Sequence, residues 1–325
     1  EIFSLVKPVD LLVALNQETM VLHKDELSDG AGVIYDADDQ KIDLKILSGK
    51  NLRFFPVPLL KLATETGGKK LMMNNVAVGA GWALIGLPFE ILEGVIRDIF
   101  ANKDQKIIEE NIIVAKNGFD QIKNNFPEGF AYKLNLGKAP KRLVLTGNEA
   151  MGLGAIQADL GFAALYPMTP INGLLTYLAG HSLLTQPEDE IAGINMAIGA
   201  SYSGKRSLVA SSGGGFSLMV EGLGMAAMTE TPLVVVMGTR PGPSSGLPTW
   251  TGQGDLKFVL NSSQGEFMRV VLAPGDPQEC FEMIQMAFNL ADKYQMPIMI
   301  LVDKFLCESV GTIGEFQISN FKFQI

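Results

Sequence analysis

Two adjacent carboxylates, Asp189 and Glu190, stand directly before an uncharged run of small and apolar residues in the segment QPEDEIAGINMAIGA (186–200). The apolar positions of this run recur at helical spacing, which predicts a buried helix that begins at the carboxylates. Two interpretations are open. The acids could simply cap the helix, because free N–H groups favour negative charge at a helix N-terminus. Alternatively, the helix end directs Glu190 into a cleft as a functional acid.

Other candidates for chemistry are few. His23 and His181 are the two histidines of the chain and neither stands in a motif, so histidine catalysis has little support. The sequence shows no cluster of metal ligands. The run Ser-Ser-Gly-Gly-Gly (211–215) could cradle a phosphate with backbone N–H groups, although close packing of a helix on a strand explains it equally well. The run lacks the Lys-Ser/Thr pair of a P-loop.

Two polar residues follow predicted buried strands. Arg240 begins a loop with little other charge, where it could hold a substrate carboxylate or a phosphate in bidentate fashion. A surface arginine is the ordinary alternative. Thr169 stands between Pro167 and Pro170, which restrict the backbone around its hydroxyl. A plain turn would use the same residues.

The elements that must position these residues form two regions. From Leu143 onward, short apolar strands alternate with helices, which predicts a doubly wound parallel sheet with site loops at the strand C-termini. Residues 1–125 predict a smaller α/β domain, with strands at 10–15, 32–35, 41–47 and 53–57, a turn at 28–30, and helices after residue 58. The segment 126–142 has scattered Pro and Gly and predicts an interdomain linker. The larger domain is expected to span 143–311, and 312–325 to start a further segment.

Composition limits the partners and the compartment. The net charge of -9 argues against nucleic acid or an anionic membrane as a partner. Cys280 and Cys307 are too few for a disulfide framework, or for an iron–sulfur cluster with about four thiolate ligands, and a reduced, cytoplasmic setting is expected. The uncharged run 71–89 approaches the length of a membrane span, but its Asn, Gly and Pro residues favour a buried helix in a soluble protein.

Five blocks, in one order, resemble the alpha subunit of 2-oxoacid:ferredoxin oxidoreductases. They are YPMTP (166–170), QPEDEIAGINMAIGASYSG (186–204), SSGGGFSLMVEGLGMAAMTETPLVVV (211–236), RPGPSSGLPTWTGQGDL (240–256) and QGEFMRVVLAPGDPQECF (264–281). The part before residue 125 resembles the gamma domain of the same family, fused ahead of alpha. The resemblance implies oxidative decarboxylation of a 2-oxoacid such as pyruvate or 2-oxoglutarate, with thiamine diphosphate as cofactor and ferredoxin or flavodoxin as electron acceptor.

The resemblance also assigns roles. It implies that residues 143–311 form the pyrimidine-binding domain of the thiamine diphosphate-binding fold. Glu190 matches the glutamate that hydrogen-bonds the ring nitrogen of the aminopyrimidine. Thr169 matches a threonine that contacts the substrate oxygens, and Arg240 matches an arginine near the substrate carboxylate or coenzyme A. Four more residues are expected to contact the cofactor: Tyr166, Pro167, Gly213 and Gly214.

The resemblance also implies that this chain carries only half of the cofactor site. In this superfamily the diphosphate and Mg are held by Gly-Asp-Gly followed by Asn, whereas Gly254-Asp255-Leu256 and Gly275-Asp276-Pro277 lack the second Gly. No metal ligand is therefore expected on this chain. The resemblance implies a hetero-oligomer in which a beta-type subunit supplies the diphosphate and Mg site and the iron–sulfur cluster.

Several positions depart from the family pattern. Met168 stands where the family usually has Ile, and Ile171 and Asn172 stand where it has small Ser residues. Gly214 replaces a usual Pro, and Pro241-Gly242-Pro243 replaces Gly-Gly-Pro. These changes leave open the 2-oxoacid and the use of coenzyme A. The gamma-type part also lacks its expected opening strand, so we expect a fragment or a divergent relative.

Two rival functions follow from the same residues. A non-catalytic binding or assembly subunit, with Glu190 only as a cap, is supported by the altered pocket loop. A nicotinamide-dependent dehydrogenase would need a Gly-rich turn straight after a strand and an acidic residue on the next strand, and the sequence shows no such pairing.

Overall fold

The computed structural model describes residues 7–65, 69–137, 142–181 and 183–314. The chain divides into two compact units, Glu1–Ala139 and Pro140–Ile325. Each unit is built around its own parallel sheet.

The first unit has a three-stranded parallel sheet in the order β1–β2–β3, with β1 at Val9–Ala14, β2 at Leu27–Asp36 and β3 at Arg53–Val57. Val33 and Ile34 of β2 point to opposite faces, and each belongs to a separate core cluster. Both faces of the sheet are therefore buried. The helices of this unit are α1 (Gln17–His23), α2 (Leu59–Thr64), α3 (Met73–Leu84), α4 (Phe89–Ile99) and α5 (Gln105–Asn125).

Two local predictions in this unit are wrong. The predicted turn at 28–30 lies within β2, which pairs with β1 through a register shift between Val9 and Leu11. The predicted strand at 41–47 contains instead a short 3-10 helix, Leu44–Leu47. Asp43 favours that helix, because its side chain accepts a hydrogen bond of 2.9 Å from the backbone N–H of Lys45.

The uncharged run 71–89 contains α3 (Met73–Leu84), which packs against α5 at two glycines. A Cβ atom at Gly79 would lie 1.8 Å from the carbonyl oxygen of Ala115, and one at Gly118 would lie 2.0 Å from that of Val76. The two helix backbones therefore touch directly, which explains the glycine at position 79. In the described residues, no helix is long and apolar enough to cross a membrane.

The first part of the predicted linker packs onto the first unit. The Phe130 side chain is buried, and its ring centroid lies 5.6 Å from that of Phe55. The Tyr132 hydroxyl donates a 2.8 Å hydrogen bond to the carbonyl oxygen of Asp29. This stretch therefore belongs to the first unit, and the division between the units falls at Ala139 and Pro140. Residues 138–141 lie outside the described residues.

The second unit contains a six-stranded, wholly parallel sheet in the order β6–β5–β7–β8–β10–β9. Its strands are β5 (Phe162–Leu165), β6 (Leu184–Thr185), β7 (Ser207–Ser212), β8 (Leu233–Thr239), β9 (Val270–Leu272) and β10 (Pro297–Asp303). The helices are α6 (Gly147–Gln157), α7 (Asn172–Ala179), α8 (Glu190–Tyr202), α9 (Gly213–Met228), α10 (Leu256–Asn261), α11 (Pro277–Tyr294) and α12 (Lys304–Glu308).

Helices cover both faces of this sheet. Val234 and Val236 of β8 belong to a core cluster with residues of α6, α7 and α11, whereas Val235 and Met237 belong to one with residues of α8 and α9. The prediction of a doubly wound parallel sheet is therefore confirmed.

A small two-stranded sheet accompanies the large one. β4 (Leu143–Thr146) pairs antiparallel with β11 (Val310–Ile313). The segment predicted to start at residue 312 thus begins inside β11, and its residues 315–325 lie outside the described part of the chain.

Candidate active site at the switch point of the second sheet

The strand order of the second unit reverses direction between β5 and β7. From β5 the chain crosses to β6 on one side, and then returns to β7 and β8 on the other. In open α/β sheets such a switch point leaves a crevice at the carboxyl ends of the strands. The loop after β5 begins at Tyr166, and α9 begins at Gly213 directly after β7. Residues 166–170 and 211–215 therefore meet at this edge.

Glu190 is the first residue of α8 and is freed from capping by its neighbour. Asp189 is the N-cap, since its side chain accepts a 2.8 Å hydrogen bond from the backbone N–H of Ala192. Glu190 is only 3% exposed, and its Oε1 accepts a hydrogen bond of 3.1 Å from the Ser211 hydroxyl. Within the described residues, its Oε2 has no hydrogen-bond partner. One carboxyl oxygen is thus fixed and the other is available.

Gly215 makes the space that the Glu190 carboxyl group occupies. A Cβ atom at position 215 would lie 2.3 Å from Glu190 Oε1 and 2.0 Å from Ser211 Oγ. Any side chain there would collide with both polar atoms. The first turn of α9 thus forms one wall of a slot for a single carboxyl group.

Arg240, which follows β8, is tied to the loop after β5. Its Nη1 donates a 2.7 Å hydrogen bond to the carbonyl oxygen of Thr169, and its Nη2 donates one of 2.9 Å to that of Ser245. The Asn148 side-chain amide donates a 2.8 Å bond to the carbonyl oxygen of Pro170. Thr169 therefore meets Arg240 through its backbone, which leaves the threonine hydroxyl outside this contact.

A cavity of about 130 Å³ lies beside this arginine. Its polar lining includes Ser212, Gly213, Gly214, Arg240 and Asp255, and the Ser212 hydroxyl is buried without a partner among the described residues. The N-terminus of the 16-residue helix α9 opens there, so backbone N–H groups and a guanidinium line one cavity. That combination suits an anionic group. Burial raises the pKa of Asp255, which favours its uncharged form beside an anion.

The structure joins some predicted site residues and separates others. Gly213, Gly214 and Arg240 line the cavity, whereas Glu190 does not. Tyr166, 36% exposed, and Pro167 lie directly after β5 at the same edge of the sheet. In the described residues, no group of three His, Cys, Asp or Glu side chains could hold a metal ion.

Three residues of the site were named in the sequence only as members of short runs, without the contacts they make: Ser211, Gly215 and Asp255. The first two stand in a run that predicts a loop at the sheet edge, but their contacts depend on where α8 lies. The Ile171 side chain is fully buried and packs in the hydrophobic core, so it does not line the cavity beside Arg240.

Comparison with known proteins agrees with this architecture. The family model described as the thiamine diphosphate-binding domain of pyruvate flavodoxin/ferredoxin oxidoreductase matches residues 153–321. A second model, pyruvate ferredoxin/flavodoxin oxidoreductase, matches residues 1–121. The chain belongs to the pyruvate ferredoxin/flavodoxin oxidoreductase family. This membership confirms the resemblance found in the sequence.

Two relatives show how similar this chain is to known subunits. The chain is 35% identical over 298 residues to the alpha subunit of 2-oxoacid:ferredoxin oxidoreductase 1 of Sulfurisphaera tokodaii, an alignment that covers 83% of this chain and 46% of that one. It is 33% identical to the 2-oxoglutarate oxidoreductase subunit KorA of Mycobacterium tuberculosis, with coverage of 90% and 50%.

A solved structure has the same fold over most of this chain. The 2-oxoglutarate:ferredoxin oxidoreductase from Magnetococcus marinus, with 2-oxoglutarate, coenzyme A and succinyl-CoA bound, superposes with a TM-score of 0.86 at 34% identity. The match covers 95% of this chain and 55% of that one. The chain spans about half the length of the relatives it matches.

Proposed function

We propose that this chain supplies the pyrimidine-binding half of a thiamine diphosphate site in a 2-oxoacid oxidoreductase that passes electrons to ferredoxin or flavodoxin. The observation that carries the proposal is the state of Glu190. This carboxyl group is buried at the switch point and is relieved of capping by Asp189. Among the described residues it is hydrogen-bonded through one oxygen only. Its location within the domain matched by the thiamine diphosphate-binding model supports the same assignment.

The residues present fit the pyrimidine end of the cofactor. A ring nitrogen needs one carboxyl oxygen within hydrogen-bond reach, and Glu190 Oε2 has no other partner in the described residues. Bound thiamine diphosphate supplies the carbanion stabilisation needed to cleave the bond beside the oxo group of the substrate. Glu190 would hold the proton at the ring nitrogen, and Tyr166 and Pro167, which directly follow β5, would contact the pyrimidine.

The cavity beside Arg240 takes the substrate. Free N–H groups of the guanidinium and of the α9 N-terminus at Gly213 and Gly214 bind the substrate carboxylate, and the Thr169 hydroxyl contacts the substrate oxygens. Arg240 is already oriented by two backbone carbonyls, so little side-chain entropy is lost on binding. Both 2-oxoglutarate and pyruvate are candidate substrates, with coenzyme A as the candidate acyl acceptor.

The remaining parts come from other chains in this proposal. A beta-type subunit holds the diphosphate, Mg and an iron–sulfur cluster, and the assembled hetero-oligomer works in the cytoplasm. The buried, unpaired thiols of Cys280 and Cys307 are typical of a reducing compartment.

The test compares two glutamates in one assembled enzyme. Glu190→Gln removes the acid and keeps its size, so we expect 2-oxoacid-dependent reduction of ferredoxin to fall by about a hundredfold or more while assembly is unchanged. Glu188→Gln is the matched control, because Glu188 is exposed two residues earlier, and it should retain full turnover. Near-normal turnover in Glu190→Gln would refute the assigned role. A wild-type complex that binds no thiamine diphosphate would instead favour a non-catalytic assembly subunit.

A further inference from the structure

Ser211 reaches the Glu190 carboxyl group from a different element. It lies near the end of β7, is 1% exposed, and places its hydroxyl oxygen 3.1 Å from Glu190 Oε1 and 3.5 Å from the sulfur of Met168. The hydroxyl has one hydrogen for these two acceptors. A carboxylate oxygen is the stronger acceptor, because a charge-assisted hydrogen bond is about twice as strong as a neutral one. The hydrogen therefore points to Glu190.

We propose that Ser211 is a positioning residue for Glu190, which holds the carboxyl group turned so that Oε2 faces the aminopyrimidine. This inference rests on the proposed function. The last torsion of a glutamate side chain is broad, so a carboxyl group without a partner can rotate freely. The bond from Ser211 removes that freedom, and the missing side chain of Gly215 leaves the space that the two groups occupy.

Met168 supplies an internal comparison. Its sulfur is the alternative acceptor for the Ser211 hydroxyl, at a distance of 3.5 Å. Removing the sulfur leaves Ser211 with Glu190 as its acceptor, which should hold the carboxyl group at least as firmly. Replacement of Ser211 and replacement of Met168 should therefore differ in effect, although both residues touch the same site.

The experiment uses the chain assembled with its partner subunit, loaded with thiamine diphosphate and Mg²⁺. Two quantities are measured: the dissociation constant of thiamine diphosphate, and the circular dichroism band of the iminopyrimidine tautomer at saturating cofactor. Ser211→Ala should weaken binding by about tenfold and reduce the band, because a hydrogen bond to a charged group is lost. Met168→Leu, which keeps the volume without the sulfur, should leave the band equal to wild type or larger.

Conservative variants at position 211 separate positioning from packing. Ser211→Thr keeps the hydroxyl and should restore both quantities. Ser211→Cys, a weaker donor of similar size, should give intermediate values and decides the question if threonine does not fit. If the hydroxyl only fills space, Ser211→Ala and Met168→Leu would both lower the melting temperature and leave the band of the saturated complex unchanged. That result would overturn the proposal.

The outcomes also distinguish this inference from the proposed function. A wild-type complex that binds no thiamine diphosphate refutes both. A wild-type complex that shows the band, loses it in Glu190→Gln and keeps it in Ser211→Ala refutes the role of Ser211 alone.

Discussion

Adding one methyl group at Gly215 should disable the site by moving the Glu190 carboxyl group. The new Cβ atom would lie 2.0 Å from Ser211 Oγ, 2.3 Å from Glu190 Oε1 and 2.6 Å from Glu190 Cδ. Ordinary non-bonded contacts lie at about 3.5–4 Å, so these atoms must withdraw by more than about 1 Å. The hydrogen bond between Ser211 and Glu190 cannot survive this displacement.

The magnitude follows from three contributions. Alanine gains up to about 1 kcal/mol over glycine within a helix. Overpacking a buried site costs about 1–3 kcal/mol, and the loss of a hydrogen bond to a charged group costs about 1.5–3 kcal/mol. We therefore expect Gly215→Ala to lower the free energy of unfolding by about 2–4 kcal/mol. Turnover of the assembled enzyme should fall by about a hundredfold, since a 1 Å misplacement has that effect on positioned groups.

Gly199→Ala is the matched control for this variant. Gly199 lies in α8, the helix that carries Glu190, and a Cβ atom there would meet nothing within 4 Å. This change should stabilise the chain by about 0.5–1 kcal/mol and leave turnover unchanged. Denaturant unfolding and 2-oxoacid-dependent ferredoxin reduction measure the two effects. If Gly215→Ala is as stable as Gly199→Ala and turns over at a similar rate, the carboxyl slot does not exist as described.

Two further predictions concern stability. Gly79→Ala and Gly118→Ala should each lower the free energy of unfolding by about 2–3 kcal/mol, because the new Cβ meets a backbone oxygen. Gly94→Ala in α4 has open space and should raise it by about 0.5–1 kcal/mol. Equal stability of all three variants in denaturant unfolding would contradict the backbone contact of α3 and α5. Burial raises the pKa of Asp255, so the folded protein binds the proton of this carboxyl group more tightly than the unfolded chain does. The free energy of unfolding therefore falls as the pH rises from the pKa of Asp255 in the unfolded chain to its higher pKa in the folded protein. Asn cannot titrate, so the free energy of unfolding of Asp255→Asn should fall less than that of wild type between about pH 3 and pH 7. Denaturant unfolding at a series of pH values measures this difference, and the same pH dependence in both proteins would refute the prediction.

Periodicity and strand length predicted most of the second unit. Alternating strands and helices are predicted from Leu143 onward, and the structure has α7 (Asn172–Ala179) and the buried strand β8 (Leu233–Thr239) within that alternation. These elements bury continuous apolar surface, so their pattern is visible locally. The prediction of a strand at 41–47 is wrong because the apolar residues of this segment alternate without forming a strand. The side chain of Asp43 instead caps a short 3-10 helix.

The candidate site was less visible in the sequence. The residue pattern does not decide which of two adjacent acids caps α8. The cap is the residue with an extended backbone just before the helix, and the structure shows that this residue is Asp189. The contact between Glu190 and Ser211 joins residues 21 positions apart on different elements, so it requires the strand order of the sheet. Family resemblance selected Glu190 as the candidate acid, but its contacts with Ser211 and Gly215 follow only from the fold.

The arrangement around Glu190 explains how an acid can be buried and still available. A buried carboxyl group is costly unless its oxygens are hydrogen-bonded. Ser211 satisfies Oε1, and Asp189 accepts the hydrogen bond from the backbone N–H of Ala192, so Oε2 is left for a donor from outside the described residues. A fold that needed Glu190 only for stability would satisfy both oxygens. The incomplete hydrogen bonding therefore favours a binding role, and it implies that a ligand which donates to Oε2 also raises the stability of this unit.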